Sequence, residues 1–159
     1  MTGRTYKVSA IMIVGALLLL VSSGLPARAT ASEEKAVRAV LDQIFDAMRA
    51  GDSGPLKTLI LQDAPLNRIM PGKPLHHGDL SKWTAWVDGL QPGQADEQIF
   101  DVKINVEGAL ASAWAPFTIA LDGELKSCGV NHFTLVKLDD AWKVSALIDT
   151  HTPEKCPTK

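Results

Sequence analysis

Three observations predict an α+β fold, a curved antiparallel sheet of four main strands plus short extended pieces, covered by three helices. Residues 97–150 hold four runs of alternating apolar and polar character joined by short polar or Gly-containing turns, the pattern of consecutive antiparallel strands. Ahead of them lie three stretches whose apolar residues recur at helical spacing. No internal repeat, low-complexity tract or second domain boundary interrupts the chain, so the helices and the sheet must share one core.

The first residues read as a targeting segment. Arg4 and Lys7 form a positive n-region, Val8 to Val21 an apolar core, and Ala27-Arg28-Ala29 an A-x-A cleavage site. Cleavage is expected after Ala29, with Ala31 as the alternative, so residues 1–29 are a signal peptide and residues 30–159 a single domain. The apolar run falls short of the roughly 20 residues a spanning helix requires, which argues against a membrane anchor surviving cleavage. Export to the periplasm or the medium follows as an expectation.

Thr30 and Ser32 offer N-caps for the first helix, with Glu33 placed as in a capping box. Val37, Val40, Leu41, Ile44, Phe45 and Met48 make one continuous apolar face, and Gly51 provides the stop. Asp52 or Ser53 caps a short second helix carrying Leu56, Leu59 and Ile60. From Asp63 to Gly78 prolines and glycines break any period, leaving two short extended pieces, Leu66 to Met70 and Leu75 to His77. Asp79 then caps a third helix with Leu80, Trp83, Val87 and Leu90 on one face, Trp86 at its border, and Pro92-Gly93 beyond its end.

In the sheet, Phe100, Val102, Ile104 and Val106 alternate with polar residues before the Glu107-Gly108 turn. The run from Leu110 to Leu121 contains Pro116, which cannot donate to a central ladder and predicts a bulge or bend there. Pairing outward from the Asp122-Gly123 hairpin sets Trp114 opposite Asn131 and Phe117 opposite Cys128, unless a bulge shifts the register by one. A two-residue turn at Asp139-Asp140 sets Leu135 against Val144, Phe133 against Ala146, Asn131 against Ile148 and Val130 against Asp149. Trp142, Val144, Ala146 and Ile148 would then share the core face with Phe133, while His132 and Asp149 would form an ion pair on the other.

Losing residues 1–29 removes Arg4, Lys7 and Arg28 and no acidic residue, taking the formal net charge from −2 to −5. An acidic domain without a Lys/Arg cluster lacks the concentrated positive charge that a phosphate backbone requires, so nucleic acid is excluded as a partner. In an oxidising compartment Cys128 and Cys156 are expected to pair and tie down the C-terminal tail; two free thiols are the alternative. Without tight Cys/His spacing, a zinc site using His151 or His132 is not expected, and neither a metal nor a cofactor is called for.

The order of elements resembles that of nuclear-transport-factor-2-like domains, the group that includes SnoaL-like polyketide cyclases and ketosteroid isomerases. Locally, Trp114-Ala115-Pro116-Phe117, Leu121-Asp122-Gly123, Cys128-Gly129-Val130, Phe133-Thr134-Leu135-Val136 and Ala141-Trp142-Lys143-Val144 with Asp149-Thr150 are similar to exported members of that superfamily. Such relatives usually carry Gly where this chain has Asp140, and often an aspartate where it has Asn131. The resemblance implies a cone-shaped fold with an apolar cavity at its open end, and a homodimer through the outer face of the sheet. The alternating face Val130, His132, Thr134, Val136 and Leu147, too apolar for free solvation, agrees with that dimer.

Trp83, Trp86, Phe100, Trp114, Phe117, Asn131 and Phe133 are the candidate lining of the cavity, where they would hold a small apolar or aromatic molecule; otherwise they fill the core. His76, His77 and Asn131 are the candidate catalytic groups, although adjacent side chains of an extended chain point opposite ways, so at most one histidine of the pair faces inward. The sequence shows no Ser/His/Asp order, phosphate loop or HExxH helix, and whether the domain is an enzyme stays open. A binder of a small molecule, an isomerase, dehydratase or cyclase acting on one, and an interaction module with no ligand are the three readings carried forward. A polar, ionisable cluster at the cavity floor would favour the enzyme.

Overall fold

The computed structural model describes residues 31–153 together with Thr2 and Cys156; the expected signal peptide and its cleavage sites lie outside the described residues. Among the described residues three helices, α1 (Ala31–Ala50), α2 (Leu56–Leu59) and α3 (Leu80–Asp88), accompany seven strands. The strands are β1 (Pro65–Ile69), β2 (His76–Asp79), β3 (Ala95–Ile99), β4 (Lys103–Glu107), β5 (Leu110–Leu121), β6 (Glu124–Leu138) and β7 (Ala141–His151). Among the described residues no helix is long and apolar enough to cross a membrane.

The strands form one sheet in the order β2-β1-β7-β6-β5-β3, with β4 also on β5. The sheet is mixed rather than wholly antiparallel, because β1 runs parallel to β7 at its far edge. That edge is made from the Pro- and Gly-rich segment, whose local pattern carries no strand period.

The expected apolar face of α1 is buried as a unit, from Val37 to Met48, against β3, β4 and β7. The expected capping partner of Glu33, Thr30, lies outside the described residues, and Glu33 bonds to the sheet. Its carboxylate accepts from Lys137 Nζ at 2.9 Å and from Trp142 Nε1 at 2.9 Å, fastening the start of α1 to the β6–β7 hairpin. The α3 N-terminus has the expected cap, Asp79 accepting from the Lys82 backbone N–H at 2.8 Å.

Two one-residue bulges decide which side chains face the core, and neither sits at Pro116. Of the run expected as a strand from Phe100 to Val106, only the part in β4 is a strand; β3 lies upstream of it, and Asp101 in the link between them takes a positive φ of 48°. Pro116 lies on β5 between the stretches that pair with each, so its missing N–H interrupts neither ladder. The first bulge falls between Ile119 and Ala120, where Lys126 is the extra residue; it places Trp114 opposite His132, Ala115 opposite Asn131 and Phe117 opposite Gly129. The second falls after Leu135↔Val144, where Ser145 is the extra residue. Phe133 therefore meets Leu147, and Asn131 meets Asp149.

The second shift corrects the expected core. Trp142 and Val144 are buried beside Phe133, but Ala146 and Ile148 take the outer phase, with Ile148 opposite His132. Leu147 and Asp149 turn inward. His132 and Asp149 are consequently on opposite faces and form no ion pair. The turn at Asp139-Asp140 holds both residues at positive φ, 49° and 60°, so the absence of glycine there does not change its two-residue form.

Candidate functional site

A cavity of about 490 Å³ opens between α1, α3 and the inner face of the sheet. Its walls are apolar: Ile44 and Phe45 from α1, Trp83 and Trp86 from α3, and Leu66, Phe133 and Leu147 from the sheet. Phe45 and Phe133 meet edge to face with ring centroids 6.2 Å apart. Arg68, Glu97, Ser127, Asn131, Asp149 and His151 supply a polar floor.

The floor holds two hydrogen-bonded groups, one around Asp149 and one at Glu97. Arg68 donates from Nε and Nη2 to the Asp149 carboxylate at 2.9 and 2.7 Å, a bidentate pair made possible because β1 and β7 run side by side with Arg68 opposite Asp149. His151 Nε2 lies 3.3 Å from Asp149 Oδ2, and His151 Nδ1 lies 3.0 Å from Ser127 Oγ. Asn131 Nδ2 donates to Glu97 Oε1 at 2.6 Å. The absence of a Ser/His/Asp order along the sequence thus hides a hydroxyl, imidazole and carboxylate in one hydrogen-bonded line, brought together by the β6–β7 pairing.

The two carboxylates are tuned in opposite directions. Burial, opposed by the Asn131 hydrogen bond, pushes the Glu97 carboxyl up to about 7, and the negative Asp149 nearby adds to the rise. Burial also acts to raise Asp149, but hydrogen bonds from His151 and Arg68 outweigh it and hold that carboxyl below its ordinary value. Near neutral pH the floor therefore holds an ionised Asp149 locked to Arg68 and a Glu97 poised between its two forms.

Of the expected lining, Trp83, Trp86, Asn131 and Phe133 reach the cavity. Trp114 does not; the first bulge puts it on the outer face, half exposed, with its ring 6.1 Å from that of His132. Phe100 lies outside as well, in the link between β3 and β4. Phe117 is fully buried and packs edge-on against His151 at 5.1 Å, beside the cavity rather than in its wall.

Among the catalytic candidates, His76 lines the mouth and Asn131 the floor, whereas His77 is exposed with Nδ1 3.1 Å from Asn67 Oδ1. Sequence reasoning passed over Arg68 and Glu97. A signal existed for Glu97, since Ala95, Glu97 and Ile99 share one phase of an alternating run and an acidic residue in that phase is out of place. Arg68 had none, lying in the segment with no period.

The model of the family described as "Putative lumazine-binding" matches residues 32–147. The chain belongs to that family. Solved structures described as NTF2-like share the fold of this lumazine-binding-like domain. It is similar to an NTF2-like protein of unknown function from Shewanella baltica OS155, with a TM-score of 0.61 and 20% identity, covering 79% of this chain and 99% of that one. A cystatin-like-fold protein of unknown function from Nostoc punctiforme PCC 73102 matches with a TM-score of 0.64 and 12% identity over 80% of this chain and 96% of that one. A protein from Streptomyces avermitilis described as a "putative dehydratase from the NTF2-like family" matches with a TM-score of 0.61 and 19% identity over 76% and 96%. None of the curated proteins matches the chain. At these identities the solved structures share the fold of the lumazine-binding-like domain and establish nothing about its chemistry.

Proposed function

We propose that this domain binds a small planar molecule, apolar or aromatic in its body and polar along one edge, with the rings between the α3 tryptophans and Phe133 and the polar edge on the Glu97–Asn131 floor. The observation that carries this reading is the cavity itself, about 490 Å³ with aromatic walls and a few convergent polar groups, within the range of about 300–1,000 Å³ typical of ligand sites. The family's description supports a nitrogen-containing ring system as the ligand.

One observation favours a second reading, an isomerase, dehydratase or cyclase. Glu97 is a buried carboxyl titrating at about 7 and lining the cavity, the property required of a general acid or base at physiological pH. The description of the Streptomyces relative points in the same direction.

We also infer that the chain is exported, that it works in the periplasm or outside the cell, and that it forms a homodimer through the outer sheet face. The A-x-A segment and the Cys128–Cys156 disulfide support export. Exposed Phe100, Leu110, Trp114 and Leu138 support the dimer.

Native mass spectrometry of the protein isolated from its own host tests binding, and incubation of the complex in deuterium oxide tests chemistry. A retained molecule that is displaced when Trp83 is replaced by Ala is the result expected from binding. Deuterium entering carbon positions of that molecule, and failing to do so with Glu97→Gln, is the result expected from an enzyme. A protein that retains nothing under native conditions and gains no thermal stability from heteroaromatic compounds would reject the cavity as a binding site.

A further inference from the structure

The hydrogen bonds already made on the cavity floor leave a specific set of groups for a ligand. Asn131 Nδ2 is engaged by Glu97 Oε1, and Arg68 Nε and Nη2 by Asp149. His151 sits between Asp149 and Ser127, accounting for both of its ring nitrogens and for the serine hydroxyl. Glu97 Oε2 and Asn131 Oδ1 have no hydrogen bond, and neither is sealed in, because among the described residues every fully enclosed side-chain nitrogen or oxygen has a partner. Both residues line the cavity. With Glu97 ionised, the floor at Glu97 and Asn131 offers two free acceptor oxygens beside the second N–H of Asn131 Nδ2, while Arg68 Nη1 remains as a donor on the strand beyond.

Building on the binding reading above, we propose that this floor selects a donor edge: the ligand is a nitrogen heterocycle bearing a 2-amino group, whose N–H groups meet Glu97 Oε2 and Asn131 Oδ1. A 2-oxo ring presents a carbonyl oxygen at the same place. Oxygen set against oxygen leaves both unpaired, whereas an N–H directed at a carboxylate makes a charge-assisted bond. A ring carbonyl at the next position but one suits Arg68 Nη1 in either case. Selection thus falls on the single substituent next to Glu97.

Pterin and lumazine make the comparison directly, since they share the bicyclic frame and differ in carrying amino or oxo at that position. Titrated into the purified protein, with Trp83 and Trp86 fluorescence as the readout, pterin is expected to bind on the order of tenfold more tightly, the effect of one hydrogen bond to a charged group. In Glu97→Gln the amide keeps its oxygen on Asn131 and turns N–H toward the cavity, so the preference should reverse toward lumazine. Raising the pH through about 7 ionises Glu97 and should widen the pterin preference of the wild type. The groups facing this carboxyl are Asn131 on β6, Arg68 on β1 and Asp149 on β7, whereas Arg49 of α1 reaches only the Glu97 backbone carbonyl, at 3.0 Å.

Equal affinities, or tighter binding of lumazine by the wild type, would overturn the donor-edge assignment and leave cavity binding standing. Failure of both ligands to bind would overturn the assignment too, and the mass-spectrometric result decides the broader reading separately. The wild-type comparison requires no variant to fold.

Discussion

Glu97 is a carboxyl group placed where water solvates it poorly, and the protein stabilises its protonated form. A group that titrates at about 7 in the fold and at 4.5 in the unfolded chain binds its proton more tightly when folded. Its contribution to stability is complete below pH 4.5 and is lost as pH rises through about 7, a change of roughly 3 kcal/mol. Glu97→Gln mimics the protonated form. Urea titrations should show the variant within about 1 kcal/mol of wild type at acidic pH and more stable by roughly 2–3 kcal/mol above pH 8. A stability difference that does not change with pH would mean that Glu97 is solvated in the native state. Asp149 behaves in the opposite sense: lowered by His151 and Arg68, it stabilises the fold above its ordinary titration range and ceases to do so as pH falls through its depressed value.

At the scale of elements, the end of β7 carries His151 into the site and is held by the disulfide. Cys128 and Cys156 are bonded, and the Thr152 N–H donates to the Cys128 carbonyl at 2.8 Å, so Thr152 and Cys156 are both held beside Cys128 of β6. The close approach has a steric counterpart in Gly129, where a Cβ would come within 1.7 Å of the Thr150 carbonyl oxygen. The link joins residues 28 apart, for which the chain-entropy account gives about 3–4 kcal/mol. Replacing both cysteines by serine should lower stability by about that amount in urea titrations, with amide exchange rising first at Thr150 to Thr152. Loss of less than about 1 kcal/mol would show that the tail is held by its hydrogen bonds alone. The helices and hairpins of this molecule were legible in the sequence because caps, turn residues and 3.6- or 2-residue periods are local properties. The two bulges were not, since an extra residue at Lys126 or Ser145 looks like any other polar residue until the partner strand sets its phase.

At the scale of the whole molecule, the sheet separates two apolar surfaces. The inner one is closed by α1 and α3 around the cavity. The outer one is uncovered and carries Trp114 at 50% and Leu110 at 54% exposure. Trp114 stands beside His132 where the outer face is centred on β5 and β6, the position in which an aromatic anchor contributes most to association. Light scattering on a size-exclusion column should find a dimer, and Trp114→Glu should weaken it by about 30-fold or more, from a loss of at least roughly 2 kcal/mol. A wild-type protein that stays monomeric at high concentration would remove the proposed interface.

By itself the sequence determined the class of fold, the apolar faces of the helices, the Asp79 cap of α3, both hairpin turns and the cysteine pair, and through Trp83, Trp86, Asn131 and Phe133 part of the cavity, whereas α2 begins at Pro55 without the side-chain cap expected from Asp52 or Ser53. Tertiary structure alone decided which polar residues meet. Arg68 reaches Asp149 across 81 residues of sequence because β1 docks parallel to β7, and Asn131 faces Asp149 because Ser145 is skipped. A period of two assigns a side chain to one of two faces with no memory of distance, so a single unpaired residue far along the ladder reverses every assignment beyond it.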